Sequence, residues 1–106
     1  MSTLSTHVLD TSLGKPAAGI RVALLQGERV LGETTTDADG RASGFATALE
    51  PGEYRLRFEV HPYFRTTERE AFYRVVTVEF VVRAGEAHYH VPLLLNPFGY
   101  STYRGS

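Results

Sequence analysis

Tyr54-Arg-Leu-Arg-Phe-Glu-Val60 decides the fold class, because Tyr54, Leu56, Phe58 and Val60 fall on one face of an extended chain and Arg55, Arg57 and Glu59 on the other. That is period two, the mark of a strand with one buried face. Working outward, Glu50-Pro-Gly-Glu53 supplies a turn before it, and the alternation resumes over residues 75–83. Upstream, residues 6–10 form a short strand ended by the turn chemistry around Gly14, Lys15 and Pro16. Residues 19–26 form another, and 30–36 return as its hairpin partner across Gly27 and Glu28. Downstream, Ala84-Gly-Glu86 turns into residues 87–95, and Asn96-Pro-Phe-Gly99 into residues 100–103. Asp37-Ala-Asp-Gly40 is a further tight turn, since Asp side chains bond backbone N–H groups and Gly tolerates positive φ. The spacing predicts an all-β, two-sheet sandwich of about eight strands. One short helix is expected over residues 62–72, where TTEREAF offers a Thr cap and early acidic residues.

The chain has 106 residues, 42% of them hydrophobic, including six Tyr and six Phe, which suits one domain over residues 1–106. Eleven Lys and Arg stand against twelve Asp and Glu, for a formal net charge of −1. Without a basic surplus the chain lacks the electrostatic footprint of a nucleic-acid or anionic-membrane binder. The absence of cysteine excludes a disulfide framework, a thiol nucleophile, a zinc-thiolate site and an iron–sulfur cluster. Residues 1–11 have neither a positively charged start nor an apolar run of signal-peptide length, and no stretch approaches a membrane span of ~20 apolar residues. A soluble, cytoplasmic protein is expected.

Candidate chemistry gathers on the four histidines, at positions 7, 61, 88 and 90. His61, beside Pro62 at a strand end, is most simply structural. His88 and His90 share one strand face with Pro92 and Leu94, while Tyr89, Val91, Leu93 and Leu95 make the core-like face. Imidazoles mixed with Pro and Leu make an odd solvent face, which is expected to be covered by another subunit and to create a cleft there. No thiol or acidic cluster completes a metal site around the pair, so no metal is expected. The tail, Asn96 to Ser106, is dense in hydroxyls and carries Arg104, more than a fraying end needs. Arg41 follows the Gly40 turn, from which a guanidinium can hold a carbonyl or an anion. No nucleophile elbow, P-loop or dinucleotide fingerprint is present.

Three segments in order, LSTHVLD at 4–10, DADGR at 37–41 and HYHVPLLLNPFGYSTYRGS at 88–106, resemble the transthyretin-related 5-hydroxyisourate hydrolases. The resemblance covers essentially the whole chain and includes that family's closing tetrapeptide, YRGS. It implies a sandwich of two four-stranded sheets with one short helix, assembled as a homotetramer, a dimer of dimers, with active sites in the channel between dimers. It also implies hydrolysis of 5-hydroxyisourate to 2-oxo-4-hydroxy-4-carboxy-5-ureidoimidazoline, in urate breakdown to allantoin, without metal or organic cofactor. Matched motif by motif, the family's catalytic or binding positions fall on His7, Arg41, His90, Tyr103 and Ser106. In those roles one of His7 and His90 activates water, Arg41 steadies the attacked carbonyl, and Tyr103 and Ser106 position substrate or water. One departure lies at Phe72-Tyr73-Arg74-Val75, where relatives often carry a Pro before the strand; it bears on the helix exit. The competing reading is a non-catalytic carrier, because transthyretin uses the same fold and channel to bind thyroid hormone. A channel filled with His7, Arg41, His90 and Tyr103 suits a small polar substrate better than a bulky apolar ligand.

Overall fold

A computed structural model describes residues 2–45 and 48–106. Two sheets pack face to face. The first contains β1 (Thr3–Asp10), β2 (Lys15–Pro16), β5 (Arg41–Ser43), β8 (His88–Asn96) and β9 (Gly99–Thr102). The second contains β3 (Arg21–Gln26), β4 (Arg29–Thr35), β6 (Gly52–Glu59) and β7 (Val75–Val82), ordered β4-β3-β6-β7 and antiparallel throughout. The expected sandwich is therefore present, with one sheet of five strands instead of four. The strands that the sequence pattern leaves unmarked are β5 and the two-residue β2, too short to leave a periodic trace.

The deciding stretch forms β6, with Tyr54, Leu56 and Phe58 buried. Val60 is equally buried but leaves the strand, taking helical backbone angles as the N-cap of the next element. Facing these across the sandwich are Val8, Leu93 and Leu95 of the first sheet, all fully buried. Burying a side chain of this kind contributes roughly 1.5–3 kcal/mol, so alternation on both sheets supplies the main cohesion.

The helix corrects the sequence expectation. It spans α1 (His61–Thr66), not residues 62–72, and its N-cap makes no side-chain hydrogen bond. The reason lies at its C-terminus, where Glu68 adopts a left-handed φ of 55°. The Arg69 N–H then donates to the Phe64 carbonyl (3.0 Å) and the Glu68 N–H to the Arg65 carbonyl (3.1 Å), which is a Schellman stop. The Thr-rich segment read as a helix start is the helix end: Thr66 and Thr67 hydroxyls donate back to the Tyr63 and Phe64 carbonyls.

What holds this stop is Arg69, whose guanidinium reaches Asp10 Oδ2 (2.5 Å) at the end of β1. Asp10 is fully buried and also accepts from the Tyr63 hydroxyl (2.7 Å), the Ser12 hydroxyl (2.8 Å) and the Leu13 N–H (3.1 Å). Burial pushes the Asp10 carboxyl up, but these donors together outweigh it and hold the group well below the usual carboxylate range. Tyr63 is in turn pushed up to about 12, by burial first and then by Asp10.

A carboxyl whose folded pKa is depressed stabilises the fold above its unfolded value and loses that contribution as pH falls through its folded one. Asp10→Asn is expected to cost about 3 kcal/mol in urea unfolding and to flatten the loss of stability below about pH 4. An unchanged urea midpoint would contradict the role given to this pair.

Candidate active site

The site begins with strand register. β1 runs parallel to β8, with Ser5 opposite His90 and His7 opposite Pro92. β5 pairs antiparallel on the other side of β1, placing Arg41 directly opposite His7 and Ser43 opposite Ser5. Directly opposed residues share a face with Cβ atoms about 5 Å apart. His7, Arg41 and His90 therefore stand together on the outward face of the first sheet, as the sequence expectation requires. Thr3, Ser5, His88 and Pro92 share that face.

Arg41 reaches this place through the 37–40 turn. Asp37 Oδ1 accepts from the Asp39 N–H (2.9 Å) and the Arg41 N–H (3.0 Å), the anticipated Asx arrangement. Gly40 has a φ of 75°, and a Cβ there would lie 2.4 Å from the Val8 carbonyl oxygen. Only glycine lets the turn press against β1, where the Val8 N–H donates to the Gly40 carbonyl (2.7 Å).

The tail is anchored at the same place. The Gly105 N–H donates to the His90 carbonyl (2.7 Å), so Ser106, itself exposed, follows a residue bridged to His90. A Cβ at Gly105 would sit 2.6 Å from His90 Cδ2 and 3.2 Å from Pro92 Cγ, so the imidazole edge lies against bare backbone. Tyr103 behaves differently. The residue, 57% exposed, lines a groove of about 320 Å3 with Val78 and Phe80 of the other sheet and with Tyr89 and Val91, which lie on the β8 face opposite to His90. One chain thus brings His7, Arg41, His90 and the Gly105 backbone together, with exposed Ser106 next in sequence, and leaves the Tyr103 ring apart.

His90 is half-buried and its pKa is lowered, by burial first, then by Arg41, His7 and His88, against a weaker opposing hydrogen bond with the Ser5 backbone. The neutral imidazole is favoured near neutral pH, as a proton acceptor needs. Among the described residues no group of three or more His, Cys, Asp or Glu has metal-holding geometry. Sequence reasoning gave no role to Ser5, Thr3 or Gly105. The alternation Thr3-x-Ser5-x-His7 was a visible signal for the first two, since it continues the His7 face to the start of β1. Gly105 left no signal, because its function is the absence of a side chain.

A model of the HIUase/Transthyretin family matches residues 4–105. The chain belongs to that family. Over 115 aligned residues, covering all of both chains, it is 47% identical to the 5-hydroxyisourate hydrolase of Caulobacter vibrioides. Among solved structures, the family member from Klebsiella pneumoniae, a 5-hydroxyisourate hydrolase, superposes with a TM-score of 0.93 at 44% identity and full coverage of both chains. Sea bream transthyretin in complex with thyroxine superposes at 0.88, with 27% identity, over 96% of this chain and 93% of its own. Both branches of the family share the sandwich; their side chains must separate them.

Three outcomes follow from the geometry. His90 is expected to titrate below a free imidazole, and Arg41→Ala to raise its midpoint by removing a facing positive charge, both followed by NMR. Gly105→Ala is expected to shift the His90 ring resonances while leaving the unfolding temperature within a few degrees. Unmoved ring signals would separate the tail from the site.

Proposed function

We propose that the chain hydrolyses 5-hydroxyisourate at the face formed by His7, Arg41 and His90. The observation that carries the reading is their convergence, from three separate strands, in a chain whose full-length relatives bear that activity's name. Opening the ring at an amide-type C–N bond needs an activated water, charge stabilisation at the attacked carbonyl, and a proton for the leaving nitrogen. His90, kept neutral, takes a proton from water as its oxygen bonds to the carbonyl carbon. Arg41 holds the oxyanion. The C–N bond then breaks, and His7, placed diagonally on the same face, delivers a proton to the departing nitrogen. The product is the ring-opened carboxylate 2-oxo-4-hydroxy-4-carboxy-5-ureidoimidazoline.

A flat sheet face excludes little water, so the reading includes assembly as a dimer of dimers, in which a second copy covers His88, His90 and Leu94 of β8; Pro92, expected on the same open face, is already buried within the chain. Ser106, which follows the Gly105 bridge to His90, positions substrate or water in the closed chamber; the Tyr103 ring, apart from this face within one chain, takes part only if a second copy presents it. The thyroxine complex of sea bream transthyretin motivates the carrier alternative. Three charged or titratable groups on this face favour a small polar substrate over a bulky apolar hormone.

Added to urate and urate oxidase, the protein is expected to shorten the lifetime of the hydroxyisourate intermediate, followed by ultraviolet absorbance. His90→Asn should lower kcat by at least ~10². Equal decay with and without the protein would remove the enzyme reading and leave the carrier. Gel filtration should place the protein at four times the chain mass, and elution as a monomer would remove the shared chamber.

A further inference from the structure

His88 has no part in the chemistry above, yet it belongs to a continuous run of hydroxyl and imidazole groups along the outward face. Thr3 Oγ1 lies 2.5 Å from His88 Nδ1. Ser5 Oγ lies 2.9 Å from His88 Nε2 and 2.8 Å from His90 Nδ1. At the far end, the Thr3 hydroxyl reaches the Ala87 carbonyl at 3.4 Å.

A carbonyl can only accept, so the Ala87 carbonyl, which also takes the Thr3 N–H (3.0 Å), orients the Thr3 hydroxyl and gives the run its direction. Thr3 gives its O–H to Ala87, and its oxygen accepts Nδ1–H of His88. Neutral His88 then has its lone pair on Nε2, which takes the single O–H of Ser5. The Ser5 oxygen, its proton already committed, accepts Nδ1–H from His90. The lone pair of His90 is left on Nε2. Without an acceptor at His88, the Ser5 proton would be free to turn toward His90 Nδ1 and select the opposite tautomer, in which the lone pair is spent on Ser5.

We propose that Thr3, His88 and Ser5 are positioning residues that hold His90 as its Nδ1–H tautomer, leaving Nε2 as the base that meets water. The catalytic meaning of this assignment rests on the hydrolase reading; the tautomer itself does not. His90 is faced by Arg41 from β5, by His7 from β1, and by His88 on its own strand, while Gly105 backs the ring from the tail. Arg41 and His7 disfavour a second proton on His90, but neither contributes the hydrogen bond that chooses between its two nitrogens. That choice falls to Ser5, and through Ser5 to His88.

Nitrogen-15 NMR of the imidazoles, at a pH above the His90 titration, tests the assignment in the intact protein. The wild type is expected to show His90 protonated at Nδ1 and bare at Nε2. His88→Phe keeps a flat ring but removes the acceptor, and should convert His90 in part to the Nε2–H form. It should also lower kcat by about tenfold, with KM within twofold and the acid limb of the kcat profile displaced. His88→Gln, which returns an amide oxygen close to the Nε2 position, should recover most of both readouts. A wild-type His90 protonated at Nε2, or a His88→Phe variant with unchanged tautomer and kcat, would overturn the proposal. If the tautomer responds as expected in a protein that does not accelerate hydroxyisourate decay, the hydrolase reading falls and the positioning chain stands.

Discussion

The parallel pairing of β1 with β8 is the constraint from which the rest of the site follows. All eight residues from Thr3 to Asp10 pair in register with His88 to Leu95. Buried Thr6 reinforces this pairing by donating its hydroxyl to the Val91 carbonyl (2.5 Å). Because side chains alternate, a slip of one residue would send His7 and His90 into the core and bring Val8 and Val91 out. The hydrophobic alternation that holds the sandwich together is therefore also what selects the outward face. Leu4, Thr6, Val8 and Asp10 point in, so Thr3, Ser5 and His7 must point out.

Two glycines then bring other parts of the chain to this face. Gly40 lets the Asp37 turn close onto β1 and delivers Arg41 beside His7. Gly105 lets the tail lie against the His90 ring. The Asp10, Tyr63 and Arg69 cluster serves a different end, tying the short helix to the end of β1 opposite Thr3 and His88. The buried ion pair and the Thr3–His88 contact thus lie at opposite ends of one strand, with His7 between them.

Much of this was legible in the amino-acid sequence, for reasons that differ by element. The alternation of Tyr54 to Val60 and of Tyr89 to Leu95 revealed the sandwich, because period two survives in any strand with one buried face. Asp37 to Gly40 announced its turn through residues with distinctive backbone chemistry. The helix was misplaced because TTEREAF has good local propensity, and a non-local ion pair from Arg69 to Asp10 overrides it. β2 and β5 escaped notice since two or three residues carry no period. At the site, the spacing of His88 and His90 and the turn before Arg41 mark those residues in the sequence, whereas the part given to His7 comes from motif resemblance. The hydrogen bonds joining Thr3, His88, Ser5 and His90 depend on which strands are neighbours, information that no single segment contains.

Under the proposed function, one outward sheet face, closed by a second copy of the chain, receives a purine-derived ring. A crystal structure of the protein with a stable, non-hydrolysable analogue of that ring examines it most directly. The analogue is expected between copies, with its carbonyl oxygen within hydrogen-bond reach of Arg41 and ring atoms adjacent to His7 and His90. An analogue seated instead in the groove of Val78, Tyr89 and Tyr103, with the histidine face open to solvent, would contradict it.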